Sequence, residues 1–183
     1  MSVGGLAGVM PASSTRRTWT LTIAAPADPK DPTKAWWANL NNDRGDHAMV
    51  AYRRTNAWRK ATRQAAIVAG IATLGGAPRV ILQRARLDVE YRFLRRARGG
   101  VRRDITTNWA PTQKAIVDTL TADGRRVPKI PSVGVIVDDA PRYLCCASCP
   151  HATIGDPIEP GPCAPLGLVV LTITDLSGVP DAS

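Results

Sequence analysis

Two adjacent aspartates, Asp138 and Asp139, close an apolar stretch, and a third, Asp104, follows directly on Arg102 and Arg103. Between them stand Lys114 and Asp118, four residues apart. Carboxylates gathered at the end of a strand and the start of a helix are hard oxygen donors. They suit Mg²⁺, or Mn²⁺ in its place, which takes one or two carboxylates and keeps its other positions for water and phosphate. Adjacent aspartates on a strand point to opposite faces, so one of the pair is expected to face Asp104. Repulsion among the carboxylates is relieved by the cation, and arginines around them attract a phosphate backbone. Acid set in a basic field is thus the pattern of a metal-dependent nuclease. The plainer alternative is that these are ordinary turn aspartates and that Lys114–Asp118 is an exposed helix pair, worth about 0.2–0.5 kcal/mol. Lysine ahead of aspartate is the weaker orientation of such a pair, so stability alone explains it poorly.

Cys146 and Cys149 form a Cys-x-x-Cys, with Cys145, His151 and Cys163 close by in sequence. Cys146, Cys149, His151 and Cys163 are enough ligands for a tetrahedral Zn²⁺ that staples a loop without doing chemistry. A single such pair is a weaker signature than two spaced pairs, and reduced thiols in a proline-rich loop are the alternative. Trp36 and Trp37, near Lys34 and Arg44, have the character to stack on unpaired bases, although packing or a dimer contact is the commoner fate of tryptophan. His47 reads as a surface residue. Two basic runs, one holding Arg53, Arg54, Arg59 and Lys60 and the other Arg95, Arg96, Arg98, Arg102 and Arg103, are candidate DNA contacts.

The whole chain supports that expectation. Its 183 residues carry 24 Lys+Arg against 15 Asp+Glu, a formal net charge of +9. Such an excess favours a polyanionic partner. No apolar run approaches the roughly 20 residues that span a bilayer, so no membrane association is expected. The stretch around Arg16 and Arg17 has the look of a twin-arginine leader, but Trp19, Leu21 and Ile23 alternate with Thr18, Thr20 and Thr22, which is a half-buried strand and not a signal core. A cytoplasmic protein with reduced cysteines follows.

The elements that must position these residues can be read in turn. Residues 1–15 are expected to be a disordered N-terminal segment, followed by one domain over 16–178 with inserted loops at 121–133 and 145–165. A strand is expected at 17–24, then a long irregular segment through the tryptophans. A helix is expected from Thr55 to Thr73, with Trp58, Ala61, Ala65, Val68 and Ala72 on its inner face and Gly75–Gly76 as its stop. Alternation predicts a strand at 85–96, Pro111 opens a helix over 112–122, and strands are expected at 133–139 and 166–176. On the second helix, about 100° per residue puts Gln113, Ile116, Val117 and Leu120 on one side and Lys114 with Asp118 on the other. The fold class is α/β (α+β): a single compact domain with a mixed β-sheet packed against two main helices.

The segment from Arg102 to Leu120, the run Gly134–Asp139, Leu171–Thr174 near the end and Leu21–Pro26 near the start together resemble the RusA family of phage and prophage Holliday junction resolvases. The shared features, in order, are Arg102-Arg103-Asp104, Asn108, Lys114-Ala115, Asp118-x-Leu120, Gly134 with three apolar residues before Asp138-Asp139, and Leu171-Thr172-Ile173-Thr174. The resemblance spans residues 18–176. It implies a Mg²⁺-dependent endodeoxyribonuclease of RusA-like fold that acts as a homodimer and nicks two strands of four-way or branched DNA symmetrically. A two-fold dimer would match a pseudo-two-fold substrate. Asp104 and Asp139 would be metal ligands, joined by Asp138. Lys114 would be the essential lysine at the scissile phosphate, with Asn108 and Asp118 in support. The chain departs from the family pattern at Thr106 and Thr107, where members carry a second aspartate, and in its two expanded loops. A non-catalytic branched-DNA-binding protein of the same fold, or a nuclease for flaps or other branched DNA, is the alternative.

Overall fold

The computed structural model describes residues 16–39, 47–95, 109–122, 130–145 and 149–178. The expected N-terminal segment therefore lies outside the described residues. The chain forms β1 (Thr18–Ala24), β2 (Ala27–Asp28), β3 (Asp31–Ala35), α1 (Ala48–Val68), β4 (Ala85–Phe93), α2 (Ala110–Leu120), β5 (His151–Ile154) and β6 (Gly167–Asp175). Strands β1, β6, β4 and β5 make one sheet in that spatial order. The first two pairings are antiparallel and β4–β5 is parallel, so the sheet is mixed.

Period-two alternation puts the branched apolar residues of three strands on one face. The register aligns them in rows across the sheet: Trp19, Ile173 and Leu87; Leu21, Leu171 and Val89; Ile23, Val169 and Tyr91. All but the half-buried Trp19 are buried, and each such side chain contributes about 1.5–3 kcal/mol on leaving water. The opposite face carries Thr20, Thr22, Arg86, Asp88 and Glu90, which suits water.

Both helices cover the apolar face or its margins. The buried stripe of α1 is Arg54, Trp58, Thr62, Ala65 and Ala66, and that of α2 includes Thr112, Ala115, Ile116, Thr119 and Leu120. The segment after β3 is bolted to both helices: Trp58 Nε1 donates to the Trp36 carbonyl at 2.9 Å, and Thr112 Oγ1 donates to the Ala38 carbonyl at 2.6 Å. Trp37 enters the core, with ring centroids 5.0 Å from Trp58, 4.8 Å from Trp109 and 5.1 Å from Phe93. Gly167 makes room for it, since a Cβ there would lie 2.4 Å from Trp37 Cζ2.

Several expected elements differ. The first helix begins at Ala48, where His47 Nδ1 accepts from the Met49 N–H, and stops at Val68, short of Gly75–Gly76. It stops because Gly70, at φ +75°, closes a Schellman turn in which Ile71 N–H reaches the Ala66 carbonyl at 3.1 Å and Gly70 N–H reaches the Ile67 carbonyl at 3.0 Å. Val68, expected on the inner face, is exposed. The irregular segment before α1 contains the β2–β3 hairpin. Residues 133–139 form no strand, only bridges from Ile136 to Leu82 and Thr121, because Gly134 at φ +71° breaks the extended backbone. The loop expected at 145–165 holds β5, a real strand of the sheet. Among the described residues, no helix is long and apolar enough to cross a membrane.

Candidate functional site

The apolar run ahead of the two aspartates works as a dock. Val133 N–H donates to the Thr119 carbonyl at 2.6 Å, Ile136 N–H to the Leu120 carbonyl at 2.9 Å, and Ser132 Oγ to the Asp118 carbonyl at 2.7 Å. These bonds satisfy carbonyls that the end of a helix leaves without an intrahelical donor. Leu82 N–H donates to the Val135 carbonyl at 2.8 Å, tying the same run to the approach to β4. Burial of Val133, Val135 and Ile136 locks it down. The chain is thereby steered so that Asp139 arrives beside the face of α2 that carries Lys114.

That meeting forms a pocket of about 260 Å³. Gln113, Lys114, Val117 and Asp118 of α2 form one wall, and Asp139, Leu144, Cys149 and Pro150 the other. Lys114 Nζ lies 3.2 Å from Asp118 Oδ1, and Arg59 Nη2 of α1 lies 3.1 Å from Asp118 Oδ2. The three side chains differ in exposure: Arg59 is 14% exposed, Asp118 23% and Lys114 70%. Asp118 is therefore held chiefly by the enclosed arginine, while the lysine ammonium keeps donors for a ligand in the pocket. Asp139 is exposed at the pocket, and its N–H donates to Asp138 Oδ1 at 2.7 Å. A larger cavity of about 500 Å³ lies between the β2–β3 hairpin and the end of β4, but among the described residues its only charged lining residue is Lys34.

Of the expected site residues, Lys114, Asp118 and Asp139 come together, with Asp138 adjoining. Asp104, Asn108, Arg96, Arg98, Arg102, Arg103 and Cys146 lie outside the described residues. Two of the expected DNA contacts take other roles. Arg54 is 3% exposed and lies over the Trp36 ring at 5.6 Å, and Arg59 is the partner of Asp118. The spacing of Arg54, Trp58 and Thr62 by four residues is the signal that put Arg54 on the buried stripe. Arg53 and Lys60 are exposed on α1, and Arg95 makes an exposed pair with Glu159 at 3.0 Å.

No protein-family model and no curated protein matches this chain.

A second group of donors sits beside the pocket. Cys145, Cys149 and His151 could hold a metal ion, their ligand atoms all lying within 4.8 Å of one another. Cys145 Sγ is 3.3 Å from His151 Nε2, and Leu87 N–H of β4 donates to Cys149 Sγ at 3.4 Å. Cys163, expected as a ligand, is exposed and stands outside this group, and Cys145 joins it instead. The difference arises because the parallel pairing of β5 with β4 sets His151 against Asp88 and carries Cys149 to Leu87, whereas Cys163 falls in the loop that leads to β6. Arg86, in bidentate contact with Asp88 at 2.9 Å, is held above the ordinary arginine value, first by its hydrogen bond to Asp88 and then by its charge, with smaller contributions from Cys145 and Cys149.

Proposed function

We propose that the protein is a Mg²⁺-dependent, structure-specific endodeoxyribonuclease of RusA type, resolving four-way DNA by paired nicks as a homodimer. Its setting would be the cytoplasm of a bacterium or of a phage-infected cell. The observation that carries this reading is the convergence of Lys114 and Asp139 in one pocket, although they come from a helix and from a loop well apart in the chain.

The division of charge in the pocket fits phosphodiester cleavage. Because Arg59 also engages Asp118, the Lys114 ammonium would keep its remaining N–H donors for a phosphate oxygen and for the charge that builds there in the transition state. Asp139 would be a hard oxygen ligand, with Asp138 offering its second carboxylate oxygen and Asp104 completing the set. One or two protein carboxylates are the usual complement for Mg²⁺ at a phosphate site, a number that Asp139 with one of the other two would supply. When bound, the ion would polarise the phosphate and supply an activated water. Arg53 and Lys60, together with the basic run from Arg95 to Arg103, would neutralise backbone phosphates, which makes binding fall steeply with salt.

The deciding experiment is nicking of a synthetic four-way junction and a matched linear duplex in Mg²⁺ by the wild type and Asp139→Asn. The expected result is paired nicks in the junction alone, reduced at least about 10²-fold in the variant. Tight junction binding with no cleavage in Mg²⁺ or Mn²⁺ would instead identify a non-catalytic junction-binding protein, with Thr106 and Thr107 as the reason. Equal cutting of flaps or other branched DNA would move the specificity but keep the chemistry.

A further inference from the structure

We propose that Cys145, Cys149 and His151 form a zinc site that clamps one wall of the Lys114–Asp139 pocket. This inference does not depend on what the pocket cleaves.

The donors are two sulfurs and an imidazole nitrogen, a soft set that favours Zn²⁺ over the oxygen-seeking Mg²⁺. The nearest pair of donors is spaced close to that of a loaded site. Zn–S bonds of about 2.3 Å and Zn–N bonds of about 2.0–2.1 Å at a tetrahedral angle put sulfur and nitrogen about 3.6 Å apart, and two sulfurs about 3.8 Å apart. Cys145 Sγ and His151 Nε2 are 3.3 Å apart, and all three donor atoms fall within 4.8 Å of one another. An ion would therefore open the nearer pair by a few tenths of an ångström and draw the other donors in by no more than about 1 Å.

The surroundings suit thiolate. The Leu87 N–H already points at Cys149 Sγ, which is the kind of backbone hydrogen bond that supports a metal-bound sulfur. As a thiol, Cys149 turns its proton toward the Leu87 carbonyl at 3.8 Å. Zinc binding would release that proton and the Cys145 proton to solvent, leaving two thiolates and a neutral imidazole on the ion, with a water in the fourth position. The Arg86 guanidinium, within electrostatic reach of both sulfurs, favours that exchange.

What the ion would fasten is defined by backbone bonds. The stretch before Cys145 lies along the start of β4, with Ala85 N–H donating to the Tyr143 carbonyl at 2.9 Å, and His151 opens β5 on the same strand. A metal bridging Cys145 to Cys149 and His151 would tie those two stretches together. Leu144, Cys149 and Pro150 form part of the pocket wall opposite Lys114, so tying Cys145 to Cys149 and His151 would fix that wall.

The test is the zinc content of untagged, full-length protein. About one zinc per chain is expected, falling below about a tenth of that in Cys149→Ser and in His151→Asn and unchanged in Cys163→Ser. Should those variants fail to fold, chelator-stripped wild type is titrated with Co²⁺. Thiolate-to-cobalt charge-transfer bands and strong tetrahedral d–d absorption, abolished by Zn²⁺ and not by Mg²⁺, are the expected result. Wild type that takes up no zinc and gives no cobalt–thiolate bands would overturn the proposal. So would zinc content that survives both ligand substitutions, or that disappears in Cys163→Ser.

Discussion

Replacing Arg59 by methionine tests the most consequential contact of the pocket, because it removes the charge while keeping most of the length of the side chain. Asp118 is 23% exposed and Arg59 14%, so the pair lies between the two well-measured regimes. Exposed pairs contribute about 0.2–1 kcal/mol, whereas stripping one partner from a fully buried pair costs about 3–5 kcal/mol. Asp118 retains Lys114 at 3.2 Å and some contact with water, which places Arg59→Met nearer the lower regime, at about 1–2 kcal/mol. With a urea m-value of about 2 kcal/mol/M, the unfolding midpoint falls by about 0.5–1 M. A double-mutant cycle with Asp118→Asn isolates the contact: once Asp118 is uncharged, Arg59→Met should cost less, with a coupling of about 1 kcal/mol. The coupling should survive raised salt better than the coupling of Lys114 to Asp118, which involves the more exposed cation. Strict additivity of the two substitutions, or a midpoint unchanged in Arg59→Met, would refute the view that Arg59 holds Asp118.

Lys114→Met should leave stability within about 0.5 kcal/mol, as expected for a 70% exposed lysine, yet abolish junction nicking while junction binding persists; comparing urea unfolding with a cleavage assay separates the two. Gly167→Ala should destabilise by about 1–3 kcal/mol in thermal or urea unfolding, because its Cβ would meet Trp37 Cζ2 at 2.4 Å and that indole is wedged among Trp58, Trp109 and Phe93. Asp31 is held down to about 2, first by the hydrogen bond its carboxylate accepts from Lys34 and next by those from Thr33. Its folded value is depressed, so its contribution to the β2–β3 hairpin is complete above the ordinary value of 3.8 and is lost as pH falls through about 2. An NMR titration of the Asp31 carboxyl should show that low midpoint, and Lys34→Met should move it upward.

The three long strands were legible because alternation is a local property. Leu21 and Ile23, Leu87, Val89 and Tyr91, and Val169, Leu171 and Ile173 are each read from their own neighbours. Pro111 likewise marked the start of α2, and the helical repeat put Lys114 and Asp118 on one face. Where local signals misled, a longer-range contact had prevailed. Residues 133–139 are apolar enough for a strand, but their hydrogen bonds go to the last carbonyls of α2 and to Leu82 in place of a continuous ladder. Four residues, His151–Ile154, carry too short a pattern to announce β5, which exists because β4 offers a free edge for parallel pairing. Arg54 looked like part of a basic run because its charge stands out, although its spacing from Trp58 pointed to the core.

The sequence by itself determined which residues could do chemistry and which elements would carry them. Residue type and periodicity depend only on near neighbours, so the Lys114–Asp118 face, the alternating strands, the mixed α+β class and the sulfur-rich loop were all open to reading. The tertiary structure alone decided which of those groups meet. Docking of 132–136 on the end of α2 brings Asp139 to Lys114, packing of α1 on α2 gives Asp118 its Arg59, and pairing of β5 with β4 selects Cys145, Cys149 and His151 and leaves Cys163 aside. Each of these meetings depends on elements distant in the chain coming together through burial and backbone hydrogen bonding, and no local pattern records that docking in advance.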